Sequence, residues 1–144
     1  MALALYGPGF NWVYSDMHQD VTRVTDILFT DSEAGKAGET VKLVNGRWTM
    51  AKGTDVPGGV LAADVEAGTD VQCEVVLIRP GDQFIVKYTG TPNAAFQPGA
   101  NAVAIATDGL SVDAATVAGG AVAVLRVNTT NQTATVYFKN RQFS

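Results

Sequence analysis

The dipeptide Asn45-Gly46 constrains the fold of this chain more than any other short feature. It separates residues 41–44 from residues 47–51, and both runs are rich in residues typical of strands. Both central residues of a two-residue hairpin turn take a positive φ, which asparagine and glycine tolerate best. The pattern therefore predicts an antiparallel hairpin near the middle of the chain.

Further runs of Val, Thr and Ala predict additional strands. A second hairpin is predicted around Asp108-Gly109, between residues 103–107 and residues 110–112. The other predicted strands are residues 71–79, residues 83–88 after a turn at 80–82, and a last antiparallel pair formed by residues 121–128 and 133–139. Within that pair, strict alternation places Val122, Val124 and Arg126 on one face. Long helical periodicity is missing, so we expect an all-β chain forming a small β-barrel or sandwich.

The first part of the chain differs from the rest. Its segment of residues 6–14 is aromatic but interrupted by Gly7-Pro8-Gly9, which suits a central strand poorly. We therefore expect an extended N-terminal arm over residues 1–37 and a single β body over residues 38–144. A length of 144 residues agrees with one domain.

The net charge, the apolar runs and the cysteine count limit the classes of partner and the cellular location expected for the chain. The net charge of −4 argues against nucleic acid as a partner, because phosphate binding needs a basic face. Neither a signal peptide nor an apolar run long enough for a membrane span is recognisable, so we expect a location in the reducing cytoplasm and no membrane contact. A single cysteine, Cys73, excludes an internal disulfide.

Charge is distributed unevenly along the chain. The first forty residues hold six acids and two bases, whereas residues 120–144 hold three bases and no acid. This asymmetry suits head-to-tail contact between copies of the chain, although the two regions could also pair within one copy or simply face solvent. Low-charge strands rich in Ala and Val also favour self-association, with a homotrimer expected first and a homodimer second.

Residues suited to catalysis are scarce. The one histidine, His18, lies between Asp16 and Asp20 at a spacing that could offer a metal site in an extended strand, but a polar stretch of arm is the favoured interpretation. Cys73 lies in an apolar run and is expected to be a small buried side chain. Neither a Gly-x-Ser-x-Gly motif nor a P-loop occurs. We therefore expect no catalytic, cofactor-binding or metal-binding residues, and a protein that is not an enzyme.

The aromatic residues of the arm are the candidate binding residues. Tyr6, Phe10, Trp12 and Tyr14 fall within nine positions, and the last three are spaced two residues apart. Tyrosine and tryptophan are enriched at the anchors of protein interfaces. We therefore expect these four side chains to bind a partner protein; the alternative is that they cap the β body of their own chain.

The body carries a recognisable sequence pattern, in which Ala-Gly-Glu-x-Val and Gly-Val-Leu-Ala strands alternate with glycine turns. The residues that show it are 37–43, the hairpin that follows, 57–62, 65–71 and 77–82. In this pattern of strands and turns the chain resembles the small capsid decoration (cement) proteins of tailed bacteriophages, over about residues 35–139. The arm aromatics match no motif of that family.

The resemblance implies a β-rich body, like a decoration protein or a jelly roll, with an N-terminal arm. It also implies a virion protein on the outer surface of an expanded icosahedral capsid, present in the host cytoplasm during assembly. Such a protein would bind as a trimer or dimer, clamp neighbouring major capsid proteins and carry out no chemistry.

A second interpretation is a ligand-binding β module of a phage head or tail fibre that recognises a carbohydrate or a receptor. Trp48, Tyr88 and Tyr137 would then be the candidate platforms for stacking a sugar ring. The two interpretations differ in exposure, because a platform needs an exposed ring whereas a decoration protein anchors through its arm and its subunit contacts.

Overall fold

The computed structural model describes residues 7–143, and these form eleven strands and no helix. The strands in chain order are β1 (Asn11–Ser15), β2 (Arg23–Val24), β3 (Thr40–Val44), β4 (Arg47–Met50), β5 (Gly59–Leu61), β6 (Val75–Leu77), β7 (Asp82–Thr89), β8 (Ala104–Ile105), β9 (Ser111–Asp113), β10 (Val122–Asn128) and β11 (Thr133–Phe138). The predicted all-β fold class is confirmed.

Two curled sheets make up the molecule. The first has the order β10-β11-β7-β9-β8, with β1 paired to β7 beside this path, and the second has the order β2-β6-β5-β3-β4. In the first sheet a β-bridge joins Val103, just before β8, to Val122 in β10, so its two outer strands approach each other. A bridge between Gly53 and Ile105 connects the two sheets. The result is a small, partly closed β architecture.

Each sheet surrounds its own apolar cluster. The first cluster lies inside the first sheet and is built around Phe84, Val86, Val112, Val122 and Val136. The second lies under the second sheet and contains Phe29, Val41, Trp48, Leu61, Val65 and Val75. The alternation of strand β5 links them, because Val60 joins the first cluster and Leu61 the second.

Both predicted hairpins form. Strands β3 and β4 meet at Asn45 and Gly46, whose φ values are 53° and 79°, as the turn requires. Strands β8 and β9 form the second hairpin, with shorter strands than expected. Of the predicted run over residues 71–79, only β6 is a strand, because Val71 and Cys73 pack against the second cluster from irregular chain.

Strands β10 and β11 pair as predicted, but the alternation within β10 does not hold throughout. The register shifts between Val124 and Arg126, which marks a β-bulge. Arg126 is consequently exposed, and Val127 packs against the first cluster. Placing Arg126 on the face of Val122 and Val124 was therefore wrong, and the bulge is the reason.

The described part of the predicted arm, residues 7–37, runs along the body as mostly irregular chain and buries Phe10 in the first cluster and Phe29 in the second. It contributes β1 to the first sheet and β2 to the second. Backbone hydrogen bonds outside the strands also attach it, for example from the Asp16 N–H to the Gly81 carbonyl at 3.0 Å. The arm therefore lies against the body of its own chain.

Candidate functional site

The arm aromatics lie at different depths. Phe10 is 3% exposed and belongs to the first cluster, with its ring 5.2 Å from the ring of Phe138. A side chain at this depth stabilises its own chain, so for Phe10 the alternative holds, in which the aromatic caps the body. Trp12 is half-buried against the same cluster, and Tyr14 is 42% exposed. Tyr6 lies outside the described residues.

A close contact between two glycine backbones brings Phe10 into the core. The Phe10 N–H donates to the Gly38 carbonyl at 2.8 Å. A Cβ placed on Gly38 would lie 2.4 Å from the Pro8 carbonyl oxygen, and φ at Gly38 is +91°. Only glycine allows both this approach and this backbone conformation. The Gly7-Pro8-Gly9 interruption thus serves to seat the arm on the body.

Trp12 is oriented by a buried carboxylate. Its Nε1–H donates to Oδ1 of Asp82 at 3.2 Å, and Asp82 is 1% exposed at the start of β7. The Arg79 guanidinium donates to both carboxylate oxygens of Asp82, each at 3.1 Å. A planar guanidinium meeting a carboxylate through two parallel bonds is a strong and directional pair. We call Trp12, Arg79 and Asp82 the clasp.

The clasp also holds the next part of the arm. The same guanidinium of Arg79 donates to the carbonyls of Gln19 and Asp20, at 3.4 Å and 2.6 Å. One buried ion pair therefore fixes both Trp12 and the chain beyond β1. From the sequence, Asp82 is only the last residue of the predicted turn at 80–82. The signal that could have indicated the ion pair is that Arg79 and Asp82 flank Pro80-Gly81, so a turn there brings their side chains together.

At Tyr14 the arm turns an aromatic side chain outward, whereas the next residue, Ser15, is buried. A register shift in β1 between Trp12 and Tyr14 sets Tyr14 opposite Gln83. Gln83 points away from the core, because its neighbours Asp82 and Phe84 are buried and it is not. The shift explains why the aromatics, spaced two residues apart, do not share one face.

The exposed surface of this segment is partly apolar. Met17 is 66% exposed, and the His18 ring stands edge-on to the Tyr14 ring with 5.6 Å between centroids. We call Tyr14, Met17 and His18 the arm face. Gln83 borders it and donates to Asp16 at 3.2 Å and to the Tyr137 hydroxyl at 3.1 Å. Burial and the charge of Asp16 raise the pKa of Tyr137, so this hydroxyl stays protonated.

The residues considered for chemistry are not brought together. His18 has a φ of 56°, so the chain leaves the extended conformation between Asp16 and Asp20. Across residues 7–143, no group of three or more His, Cys, Asp or Glu side chains is placed to hold a metal ion. Cys73 is half-buried and its Sγ–H donates to the Ile27 carbonyl, while burial raises its pKa. A thiol with a raised pKa is a poor nucleophile.

The candidate sugar platforms are mostly inside the protein. Trp48 is fully buried in the second cluster, and Tyr88 is 9% exposed against Phe96. Tyr137 is half-buried beside Gln83. Two of the three rings therefore offer no face to a ligand, which removes the main support for a carbohydrate site at these residues.

Glu39 is a buried acid to which sequence reasoning gave no special place. It is 3% exposed, and its Oε2 has no hydrogen-bond partner among the described residues. Burial, aided by the charges of Glu33 and Asp108, raises its pKa to about 7. The Lys36 N–H donates to Oε1 and partly opposes this shift. A Glu two residues before the predicted strand of residues 41–44 carries no sequence signal of such burial.

In the described part of the chain, no helix is long and apolar enough to cross a membrane.

Comparison with known proteins gives little. No protein-family model matches the chain. An alignment of 96 positions that covers 62% of this chain is 29% identical to the L-cysteine:1D-myo-inositol 2-amino-2-deoxy-alpha-D-glucopyranoside ligase of Clavibacter michiganensis subsp. michiganensis (strain NCPPB 382). The match spans only 22% of that ligase. This similarity is too low and too partial to assign the chain to a family.

Proposed function

We propose that this chain is a structural virion protein that binds the outer surface of an icosahedral phage capsid and stabilises the shell by clamping major capsid proteins. The arm face carries the proposal, since it displays Tyr14 and Met17 at 42% and 66% exposure on a segment that the clasp attaches to the body on both sides, at Trp12 and at Asp20. An apolar surface fixed in place is suited to contact with another protein, because little ordering cost is left at binding.

The body supports the same proposal. Residues of the sequence pattern that resembles decoration proteins form β3, β5 and the turn before β7, so the pattern falls on strands and turns of a β body, as such a protein would need. Strand β1 pairs with β7 and with no other strand among the described residues. Strand addition at its other edge is one way in which a capsid protein could extend this sheet.

The energetics favour many weak contacts repeated over a shell. Covering one exposed side chain of this size contributes roughly 1–3 kcal/mol before ordering costs. Copies joined in an oligomer would bind neighbouring capsid proteins together, and avidity then multiplies a modest contact. Because the contact is largely apolar, binding should resist added salt.

The first experiment asks whether the protein is part of the particle. Purified virions of the phage that encodes the chain are imaged by cryo-electron microscopy, and capsids lacking the protein are mixed with it and sedimented. We expect density on the outer surface and co-sedimentation with the capsids. Absence of the chain from the virion would overturn the proposal.

The second experiment tests the arm face. A Tyr14→Ser/Met17→Ser variant should lose at least tenfold in capsid affinity while its circular dichroism is unchanged. The matched control is Val44→Ser/Val56→Ser, which removes side chains that are 43% and 38% exposed outside the arm. Equal binding by the two variants would contradict the role of the arm face.

A further inference from the structure

A groove of about 900 Å³ lies on the outer side of the first sheet, and its lining does not include the residues of the arm face. Residues of β1, β7, β10 and β11 line it, among them Asn11, Lys87, Arg126, Asn128, Thr133 and Thr135. Every charged residue in this lining is basic. We call it the basic groove.

The two cations of the basic groove are free to meet an outside partner. Lys87 and Arg126 are both exposed, and neither forms an ion pair within residues 7–143. Lys87 lies opposite Thr133, and Arg126 lies opposite Thr135. Two strand spacings and two residues along the strand separate their Cα atoms by roughly 12 Å. This separation fits an extended segment with two carboxylates better than a single small anion.

The chain itself carries such a segment. Residues 31–37 and 63–70 are joined by a bridge between Gly35 and Val65, and together they hold five acids and one base. We call them the acidic loops. Arg47 forms ion pairs with both Asp31 and Asp70, at 2.9 Å and 2.6 Å. The Glu33 carboxylate accepts hydrogen bonds from residues 49 and 50 of its own chain.

Two exposed acids of these loops remain without a cation. Asp64 and Glu66 are both exposed and form no ion pair in the part of the chain that the structure describes. They flank the bridged residue Val65, so their side chains leave the same side of the chain, with Cα atoms roughly 7 Å apart. The long side chains of a lysine and an arginine can converge on a carboxylate pair at that spacing.

We propose that the basic groove of one copy binds the acidic loops of a second copy, with Lys87 and Arg126 facing Asp64 and Glu66. The groove lies on the first sheet, whereas the loops lie beside the second cluster through Val65. The contact therefore joins two different surfaces head-to-tail, and it closes into a ring where the rotation allows. This inference names the self-contact of the proposed virion protein and rests on the self-association that the proposal includes. It needs no capsid, so its test is independent of shell binding.

The test measures the mass of the purified full chain by sedimentation equilibrium, without capsids, at low and high ionic strength. We expect a multiple of 15.1 kDa at low salt, three copies first, and at least tenfold weaker association at high salt. A wild-type chain that stays monomeric at tens of micromolar in low salt would overturn the inference.

Charge reversal then locates the contact. The groove variant Lys87→Glu/Arg126→Glu and the loop variant Asp64→Asn/Glu66→Lys should each be monomeric. Asparagine at 64 keeps an acceptor for the Ala37 N–H, which Asp64 now binds at 2.8 Å. Combining all four substitutions in one chain should restore association in part, because the acidic groove then meets a lysine at position 66 and no acid at position 64.

A matched control is Lys52→Glu/Lys139→Glu, which reverses two exposed cations outside the groove. It should retain the wild-type mass. Circular dichroism and thermal unfolding establish that every variant is folded, and the Glu66→Lys single variant replaces the loop variant if that one unfolds. An unchanged mass in the groove variant, or no recovery in the combined variant, would overturn the inference even if capsid binding is intact.

Discussion

Asp82 shows how one side chain joins the arm to the body. It is buried, yet Trp12 and Arg79 together satisfy both of its carboxylate oxygens. A buried carboxylate is tolerated only with such partners, because an unpaired charge in the interior is costly. The clasp therefore makes the arm part of the folded structure.

Replacing Asp82 by asparagine tests the clasp. The variant leaves the Arg79 guanidinium, 20% exposed, without a counter-charge, so we expect a loss of about 2–4 kcal/mol in the free energy of unfolding. Urea denaturation measures it. The control is Glu74→Gln, which breaks the exposed pair with Arg23 and should cost less than about 1 kcal/mol. Equal losses in the two variants would show that the clasp contributes no more than a surface pair.

Glu39 predicts a dependence of stability on pH. Its pKa is raised from 4.5 to about 7 in the folded chain, so the folded state holds the proton more tightly than the unfolded chain. The stability that depends on protonated Glu39 is fully present below pH 4.5, and it is lost as the pH rises to about 7 and the buried carboxyl loses its proton.

Glu39→Gln should therefore be more stable than the wild type above pH 7, where glutamate is charged, and the advantage should shrink toward pH 4.5. The gap can reach roughly 3 kcal/mol, since one unit of pKa shift corresponds to about 1.4 kcal/mol. Urea unfolding of both proteins across this range measures it. A difference that does not change with pH would contradict the burial of the charge.

Among the elements, β1 depends most on a contact that is distant in sequence. It enters the first sheet because the backbone at residues 8–10 crosses Gly38 at very short range. The bulge within β1 then separates inward Trp12 from outward Tyr14. Two local backbone features thus decide which arm aromatics stabilise the chain and which can meet a partner.

A pair of glycine substitutions separates close approach from backbone strain. Gly38→Ala combines a positive φ with a Cβ 2.4 Å from the Pro8 oxygen, so we expect a loss of about 2–4 kcal/mol and a loosened β1. Gly46→Ala has a φ of +79° but nothing within 4 Å of its Cβ, so about 1 kcal/mol is expected. Urea denaturation gives both losses, and amide exchange in β1 reports the loosening. Similar losses for both variants would show that the arm moves away from Gly38 at little cost in the free energy of unfolding.

The two apolar clusters raise the question of whether the protein unfolds in one step. Val60 and Leu61 are neighbours on β5 but belong to different clusters, and the Gly53–Ile105 bridge joins the sheets. Loss of one cluster therefore removes contacts from the other. Such shared elements favour a single cooperative transition.

The two tryptophans allow this to be measured. Trp12 packs against the first cluster and Trp48 lies within the second. In a Trp12→Phe variant, fluorescence reports the second cluster alone, while circular dichroism reports both. We expect the same midpoint from both signals in urea. Two separated transitions would instead show that the sheets unfold independently.

Patterns confined to neighbouring residues were enough to predict much of this fold. The Asn45-Gly46 hairpin, the β8–β9 hairpin and the β10–β11 pair depend on turn chemistry and alternation, which act within about ten residues. The missing helical repeats and the many short strands indicated the all-β class for the same reason. None of these features needs knowledge of a distant contact.

Tertiary contacts decided the rest. The aromatic spacing of Phe10, Trp12 and Tyr14 reads as one face, but the Gly38 crossing buries the first and the β1 bulge exposes the last. Contacts with other parts of the chain bury the acid Glu39, and contacts with Trp12 and Arg79 make Asp82 part of the clasp. The basic groove likewise exists only where β7, β10 and β11 lie side by side. A backbone approach, a register shift and the pairing of distant strands leave no periodic trace in a sequence, because each depends on residues far apart along the chain.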